Sequence, residues 1–433
     1  MVLHDFPLDA RGVLSIGGCR ATDLAGTYGT PVLVLDEGRF RQNCRAYRDT
    51  LQRAYPRSQA IYASKAMCIL ATCQMAAAEG LQLDVASGGE IYTARRAGVP
   101  GAALHFHGNN KTADELRLAL AEGVGRIVVD NFYELELLDR LTHETNTSAA
   151  ILLRIAPGIE PHTHKSIQTG GVDSKFGFGL LDGIAMRAVR TALEIPRLEV
   201  RGLHCHIGSQ IFDLDPYRLA VRSMVQFLSE VRLELNLTFP ELNLGGGLGI
   251  RYVPEDAPPA IPAFVEGLTG ALRDTLAEFD VPEPVLYLEP GRSIAGAAGV
   301  TLYTVGAIKG IPGVRTYASV DGGMFENPRP ALYGARYTAV IADRAADPVD
   351  RSVTIAGRCC ESGDILIWEA TLPPVRSGDC LAVFSTGAYT YSMASNYNRF
   401  PRPAVVLAGE GQARVVVERE TYDDLLRHDR PLT

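Results

Sequence analysis

The sequence is organised by short apolar runs that alternate with amphipathic segments of helical length between residues 60 and 289. Eight runs have the length and composition of buried strands, namely 60–64, 81–86, 102–106, 126–130, 150–155, 200–207, 241–244 and 285–289. Helical periodicity is found between them over 112–121, 132–141, 183–193, 217–235 and 261–278. Eight strands that alternate with helices predict a closed (β/α)8 barrel, because an open doubly wound sheet usually has fewer strands.

The parts of the chain outside this alternation have a different pattern. After Gly299, short alternating runs are separated by Gly, Pro and Asp, which is typical of an all-β domain. These runs cover 301–308, 316–320, 352–355, 365–368, 380–384, 404–407 and 413–417. A further strand is predicted at 31–35, before a helix over 37–55. We therefore predict an α/β protein with a TIM-like barrel domain at 36–298 and a β-rich domain formed by 1–35 and 299–433.

Composition excludes several classes of function. No uninterrupted apolar run reaches membrane-spanning length, and the first residues lack the basic start and apolar core of a secretory signal, so we expect a cytoplasmic protein without a membrane partner. The net charge of −8, without any basic run, argues against nucleic acid as a partner. The eight cysteines are dispersed without C-x-x-C spacing, so most should be reduced and buried.

The run at 60–64 places Lys65 at the carboxyl end of a predicted strand, before a helix-like segment at 66–78. In barrels of this type the active site lies at the carboxyl ends of the strands. A lysine flanked there by small residues can be partly desolvated, which would lower the pKa of its amine and let it attack an aldehyde. For one lysine taken alone, an ordinary solvated side chain is the commoner explanation.

Two loops predict a phosphate site in the position where barrels often hold one, after strands seven and eight. The first reads Leu244-Gly-Gly-Gly-Leu-Gly249, a backbone that can aim consecutive N–H groups at an anion. The second reads Glu289-Pro-Gly-Arg292 and adds a guanidinium. A glycine triplet alone more often marks a tight turn, but its position and the neighbouring arginine favour phosphate.

Histidines at strand ends allow two interpretations. His204 and His206 point to the same side of the sixth strand, and such pairs can bind a metal when further ligands lie at other strand ends. Candidates for those ligands are His105, His107, His162 and His164. The lysine, the glycine triplet and the Glu-Pro-Gly-Arg turn have no use in a metal hydrolase. We therefore expect no metal, structural or supporting roles for these four histidines, and stacking of His206 on a flat cofactor.

A cofactor that combines an aldehyde, a flat ring and a phosphate is pyridoxal 5′-phosphate. Its ring nitrogen needs an acidic partner to stay protonated, so that the ring can accept electrons. Glu289 precedes the predicted phosphate turn and can supply that carboxylate.

With these residues the chain resembles the alanine racemase-type fold family of pyridoxal phosphate enzymes and, within it, the decarboxylases that act on diaminopimelate. The resemblance covers nearly the whole chain through nine ordered motifs. They are Tyr62-Ala-Ser-Lys65, Asp84-Val-Ala-Ser87, Asp173-Ser-Lys-Phe-Gly177, His204-Cys-His-Ile-Gly-Ser209, Gly245-Gly-Gly247, Glu289-Pro-Gly-Arg292, Arg329-Pro-Ala-Leu-Tyr333, Cys360-Glu-Ser-Gly-Asp364 and Gly387-Ala-Tyr389.

The resemblance implies a role for each matched residue. Lys65 bonds covalently to the cofactor, His206 stacks on its ring and Glu289 pairs with its ring nitrogen. The remaining cofactor contacts implied are Asp84, Ser209, Gly245, Gly246, Gly247, Gly291, Arg292 and Tyr389, most of them at the phosphate. The contacts implied to the substrate are Arg292, Arg329 and Tyr333 at its distal carboxylate, Glu361 at its distal ammonium, and Tyr389.

The resemblance also implies a homodimer with shared active sites. Cys360 and Glu361 would reach the site of the partner subunit, where Cys360 would be the acid that protonates the carbanion left by decarboxylation. The usual single cysteine of this motif is doubled here. Adjacency to Glu361 selects Cys360, and we expect Cys359 to be structural.

The expected activity is therefore decarboxylation of meso-2,6-diaminopimelate to L-lysine and CO2, the last step of lysine biosynthesis. Decarboxylases of the same fold for carboxynorspermidine, ornithine or lysine, and arginine are alternatives. Arg329 beside Tyr333 separates these, because a substrate with only a distal amine gives Arg329 nothing to bind. An amino-acid racemase would not explain Cys360 with Glu361. A catalytically silent homologue would be expected to have lost Lys65 or Cys360.

Overall fold

The computed structural model describes residues 5–159, 174–180, 183–349 and 351–432. Of the residues considered above, His162, His164 and Asp173 lie outside these ranges. The described strands are β1 (Ser15–Ile16), β2 (Cys19–Arg20), β3 (Val32–Asp36), β4 (Ser58–Ala63), β5 (Gln82–Val85), β6 (Leu104–Phe106), β7 (Arg126–Val129), β8 (Ala149–Ala156), β9 (Phe178–Gly179), β10 (Leu198–His204), β11 (Glu241–Asn243), β12 (Val285–Leu288), β13 (Gly299–Ile311), β14 (Arg315–Val320), β15 (Ala339–Ile341), β16 (Arg351–Ala356), β17 (Ile365–Leu372), β18 (Cys380–Phe384), β19 (Ala404–Gly409) and β20 (Gln412–Val417).

The described helices are α1 (Ala21–Tyr28), α2 (Glu37–Ala54), α3 (Leu70–Ala78), α4 (Gly88–Arg96), α5 (Ala113–Ala121), α6 (Phe132–Thr145), α7 (Ile184–Leu193), α8 (Asp215–Leu235), α9 (Ile261–Glu278), α10 (Arg292–Ala295), α11 (Arg329–Tyr333) and α12 (Tyr422–Leu426). No helix in the described ranges is both long enough and apolar enough to cross a membrane.

The chain divides into two compact units. The barrel unit contains the described residues of 41–249 and 258–293, and the sheet unit contains those up to Phe40, Ile250–Ala257 and those from Ile294 onwards.

The barrel unit is a closed ring of eight parallel strands in the order β4, β5, β6, β7, β8, β10, β11, β12 and back to β4. Closure is made by the pairing of β12 with β4, in which Leu286 lies opposite Ser58. All eight strands predicted from the sequence are present, so the predicted barrel is confirmed. The strands read as near-continuous apolar runs because strands of a closed barrel are covered on both faces.

The barrel helices begin where side chains satisfy the first backbone N–H groups. Thr112 forms a capping box with Glu115 before α5, and Asn131 accepts a hydrogen bond from the Glu134 N–H before α6.

The helix predicted from residue 66 was wrong at its start, because residues 64–66 form a 3-10 turn and α3 begins at Leu70. The Thr72 hydroxyl donates to the Met67 carbonyl at 2.6 Å and accepts from the Ile69 N–H at 3.2 Å, which fixes the later start.

The sheet unit is built on the strand path β17-β16-β14-β13-β3-β19-β20, with β18 joining β13 to β15. The N-terminal strand β3 lies between β13 and β19, so the prediction that the N-terminal segment completes this domain is confirmed. Strand β15 was missed because its three residues carry too little periodicity.

Successive side chains of the long strands pack alternately in two separate hydrophobic cores of the sheet unit. On β13, Val300 and Leu302 pack in one hydrophobic cluster, whereas Tyr303 and Val305 pack in the other. The strand β18 divides its side chains in the same way. The period of two follows from the pleat, which sends consecutive side chains to opposite faces, so this sheet is covered on both sides.

Candidate active site

Lys65 follows β4 directly and lies in the 3-10 turn Ser64–Ala66. Its Nζ is 3.8 Å from the Oδ2 atom of Asp84, which is the third residue of β5. The lysine side chain is 44% exposed whereas that of Asp84 is 1% exposed. The side chain of Lys65 is therefore only partly buried, and a buried carboxylate attracts its ammonium group.

His206 lies just beyond the carboxyl end of β10 and accepts a hydrogen bond from the Gly246 N–H on its Nδ1 atom, at 3.2 Å. Burial and the positive charge of Lys65 hold the pKa of His206 well below its usual value. An Nδ1 that accepts a hydrogen bond carries no proton, so the ring is neutral with its proton on Nε2.

The glycine loop after β11 fits closely against the two loops beside it. A Cβ atom on Gly246 would lie 2.0 Å from the Glu289 carbonyl oxygen, and one on Gly247 would lie 2.5 Å from the Gly208 carbonyl oxygen. Gly247 also has φ +119°, in the region that favours glycine. The loops after β10, β11 and β12 therefore approach one another so closely that only glycine fits.

Glu289 follows β12 and is surrounded by three polar side chains. Asn243 donates a hydrogen bond of 2.6 Å to its Oε1, the Nε2 of His107 lies 3.0 Å from Oε1, and the Nε2 of His204 lies 3.2 Å from Oε2. Burial acts to raise the pKa of Glu289, but His107 and His204 outweigh it, so that pKa lies well below its usual value. Burial lowers the pKa of His204 to about 4. The result is a buried anionic carboxylate beside a neutral His204.

His107, His204 and Glu289 also form the one group of potential metal ligands found in the described ranges, with ligand atoms within 4.8 Å of one another. Both Nε2 atoms lie at hydrogen-bond distance from a Glu289 oxygen. His204 Nε2 makes a hydrogen bond to Glu289, whereas His107 Nε2 lies 3.0 Å from the carboxylate without a hydrogen-bond partner among the described residues.

Two of the residues predicted at the phosphate lie next to each other. Arg292 begins α10 and donates from Nε and Nη2 to the Ser209 hydroxyl, at 3.1 and 2.9 Å. The preceding Gly291 is packed against β4, where a Cβ atom would lie 2.9 Å from the Ala63 Cβ. The barrel unit thus brings together a guanidinium, a hydroxyl and the glycine loop from three adjacent strand ends.

The sheet unit holds Arg329 in an aromatic environment. Arg329 is 7% exposed, and its Nη1 donates a hydrogen bond of 2.6 Å to the Tyr337 hydroxyl. Its guanidinium carbon lies 4.7 Å from the ring centre of Tyr252 and 5.5 Å from that of Tyr337. Among the described residues, no carboxylate lies within ion-pair distance of Arg329. Tyr333, four residues further on, is half-buried at the end of α11.

The loop that carries Cys360 is fixed by side chains on both sides. The Cys360 N–H donates to Asn398 Oδ1 at 2.8 Å, and the buried Asp364 accepts from the N–H groups of Cys359 and Met324 at 2.8 and 2.7 Å. Cys360 is exposed and Cys359 is buried. The sheet unit also carries the exposed Glu361 and the half-buried Tyr389, whose φ is +59°.

The residues predicted from the sequence are therefore divided between the units. The barrel unit holds Lys65, Asp84, His206, Ser209, Gly245, Gly246, Gly247, Glu289, Gly291 and Arg292, all at or just beyond the carboxyl ends of strands. The sheet unit holds Arg329, Tyr333, Cys360, Glu361 and Tyr389. Sequence reasoning did not assign Asn243 or the two tyrosines around Arg329. Asn243 could have been found by its position at the end of β11, the strand that pairs with β12, which Glu289 follows.

The barrel residues match a known protein family. Residues 37–296 match the model of the pyridoxal-dependent decarboxylase family, pyridoxal binding domain. The chain belongs to this family.

Full-length relatives extend the match to both units. The chain is 50% identical to diaminopimelate decarboxylase from Bacillus subtilis over 421 residues, which cover 97% of this chain and 96% of that protein. A crystal structure of diaminopimelate decarboxylase from M. jannaschii with L-lysine has a TM-score of 0.91 at 35% identity and covers 100% of this chain and 99% of its own. Lysine/ornithine decarboxylase from Vibrio vulnificus with cadaverine has a TM-score of 0.75 at 25% identity, covering 93% of this chain and 100% of its own.

The barrel unit fits the pyridoxal group that this family uses. Its aldehyde would meet Lys65, its ring nitrogen would meet the anionic Glu289, and its phosphate would meet the glycine loop with Arg292. Neither carboxylate oxygen of the buried Asp84 has a hydrogen-bond partner among the described residues. A polar group bound to Lys65 would lie beside that carboxylate.

Proposed function

We propose that this protein decarboxylates meso-2,6-diaminopimelate to L-lysine and CO2 with pyridoxal 5′-phosphate as cofactor, the last step of lysine biosynthesis. The observation that carries the proposal is Arg329, a buried guanidinium without a carboxylate partner among the described residues. A buried cation without a counterion is costly unless a ligand supplies the anion. Diaminopimelate brings a second carboxylate, whereas ornithine, lysine and arginine carry only a cationic or polar group at that end.

The cofactor, when bound, accepts the electron pair that loss of CO2 leaves on the substrate. Lys65 would bind the cofactor covalently through its amine, which lies beside Asp84. His206, whose ring is neutral, would stack on the cofactor. Glu289 holds a proton at the ring nitrogen, because His107, His204 and Asn243 keep its carboxylate anionic and fixed.

Backbone N–H groups and a few side chains would hold the phosphate. We assign this role to Gly245, Gly246, Gly247 and Gly291, together with Ser209, Arg292 and Tyr389. The hydrogen bonds from Arg292 to Ser209 orient both groups before the anion arrives. The assignment of cofactor binding to residues 36–298 remains a prediction.

The substrate contacts proposed are Arg292, Arg329 and Tyr333 at the distal carboxylate, with Glu361 at the distal ammonium and Tyr389 nearby. Cys360 donates the proton that replaces CO2, and its exposure in the single chain supports a role in the site of a second subunit. We propose a cytoplasmic homodimer with two shared sites.

The alternatives are decarboxylases of the same fold for carboxynorspermidine, ornithine, lysine or arginine. The test is Arg329→Ala, with Arg336→Ala as the matched control because Arg336 is exposed in the same unit. Loss of a buried charged partner costs roughly 3–5 kcal/mol, so we expect Arg329→Ala to lower kcat/KM for diaminopimelate by roughly two to four orders of magnitude. Any activity on lysine and ornithine should change little, because neither substrate has a distal carboxylate for Arg329 to bind. An unchanged kcat/KM for diaminopimelate would place the distal carboxylate elsewhere.

A further inference from the structure

Arg329 is surrounded by π faces and a hydroxyl group in the place where most buried arginines have a carboxylate. Tyr252 and Tyr337 are 5% and 3% exposed, and their rings meet at 89° with centres 5.4 Å apart. The guanidinium lies over both rings, and the Tyr337 hydroxyl accepts its 2.6 Å hydrogen bond. The same hydroxyl makes a long contact of 3.4 Å to Asn327 Oδ1.

This environment stabilises the cation without neutralising it. The faces of aromatic rings attract a guanidinium through their quadrupoles, and a hydroxyl oxygen offers a lone pair, but neither group carries a full negative charge. A carboxylate in their place would cancel the charge of Arg329 and compete with an anionic ligand. The arrangement therefore holds the guanidinium in one orientation and leaves its full positive charge for binding.

We infer that Tyr252 and Tyr337 form a clamp that positions Arg329 and thereby sets the preference for a substrate with a distal carboxylate. The inference rests on the proposed function, in which Arg329 binds that group. A planar guanidinium discriminates by direction as well as charge, because it binds a carboxylate through two parallel hydrogen bonds. A ligand with only a distal ammonium gives this guanidinium nothing to bind.

Two competitive inhibitors isolate the contribution of the clamp. L-Lysine retains the carboxylate that diaminopimelate places at Arg329, and cadaverine lacks it while keeping both amines. We expect Tyr337→Phe, which removes one hydrogen bond to a charged group, to raise the inhibition constant of L-lysine about tenfold. The constant for cadaverine should stay within about twofold, because cadaverine has no group for Arg329 to bind.

The ring contribution is tested at Tyr252 with a conservative pair of variants. Tyr252→Leu removes the π face and should selectively weaken the binding of L-lysine, by about tenfold. Tyr252→Phe keeps the aromatic face and should bind L-lysine as wild type does. Tyr28→Phe is the control for loss of a tyrosine hydroxyl, since Tyr28 bonds to the Ala413 carbonyl in the same unit. Each variant is first checked for a native thermal transition.

Arg329→Ala, measured with the same two inhibitors, separates the clamp from the proposed function. If Arg329→Ala does not weaken the binding of L-lysine relative to that of cadaverine, the proposed carboxylate contact is wrong. A second outcome is that Arg329→Ala selectively weakens the binding of L-lysine, while the tyrosine variants leave the inhibition constants of both inhibitors unchanged or raise both equally. In that case the clamp is wrong and the proposed function stands.

Discussion

Asn243 donates a hydrogen bond of 2.6 Å to Glu289, on the carboxylate oxygen that also lies 3.0 Å from His107. Asn243 is the last residue of β11, and Glu289 directly follows β12. The pairing of these parallel strands places both side chains at one rim of the barrel, so the acidic group is held between two hydrogen-bonded strands. The carboxylate is consequently preorganised for its partner.

Glu289→Gln should lower kcat by roughly 100-fold or more, because an amide cannot hold a proton at the cofactor's ring nitrogen. The variant retains the shape of the side chain, so the cofactor should still bind. Turnover and the visible absorption of the bound cofactor are measured on the same sample. Glu266→Gln, at an exposed glutamate of the same unit, is the control and should behave as wild type. Normal turnover by Glu289→Gln would exclude the proposed role.

The stability of the apoprotein should fall in mild acid because of buried histidines. Burial lowers the pKa of His105 to about 3 and that of His204 to about 4, against about 6.5 in the unfolded chain. Between those values the unfolded chain binds more protons than the folded one, so the free energy of unfolding decreases as the pH falls from about 6.5 to 4.

His105→Gln removes one of these titrating groups and keeps a polar side chain beside Gln82, to which His105 is hydrogen-bonded at 2.8 Å. The loss of stability between pH 6.5 and 4 should then be smaller than in wild type by about 3 kcal/mol. Denaturant unfolding at half-unit pH steps measures this difference. Curves for the two proteins that run parallel across the range would show that His105 does not contribute.

Lys65→Ala should abolish turnover and leave a folded protein. The amine is the proposed covalent attachment point, whereas a side chain that is 44% exposed contributes little to packing. The imine absorption band should be absent from this variant, and hydroxylamine should remove the band from wild type. Near-normal turnover by a variant with a native circular dichroism spectrum would contradict the assignment of Lys65.

The barrel could be predicted from sequence because strands buried on both faces appear as uninterrupted apolar runs, and because loops after such strands share one rim. Lys65, Glu289 and the glycine loop were found in this way. The clamp of Tyr252 and Tyr337 could not be, since its residues come from distant parts of the chain and no spacing marks a ring that lies over a guanidinium. Tyr252 even falls within the predicted barrel range but belongs to the sheet unit.

Short elements escaped prediction for a related reason. The three residues of β15 are held by pairing with β18, a contact between segments about 40 residues apart in sequence. Asn243 and the two histidines at Glu289 were not predicted as a group because hydrogen bonds among strand ends depend on side-chain direction, which the periodicity of a strand does not specify.

The proposed homodimer makes a quantitative prediction about mixed subunits. If Cys360 serves the site of the partner subunit, Lys65 and Cys360 of one chain never act in the same site. Random mixing of equal amounts of Lys65→Ala and Cys360→Ala chains makes about half of all dimers mixed, and each mixed dimer has one intact site. Activity should therefore recover to roughly a quarter of wild type, although each variant alone is inactive. The measurement is decarboxylase activity after subunit exchange, with the mixed dimer isolated through two different affinity tags. An inactive mixed dimer would show that Cys360 belongs to the site of its own chain or does not act in catalysis.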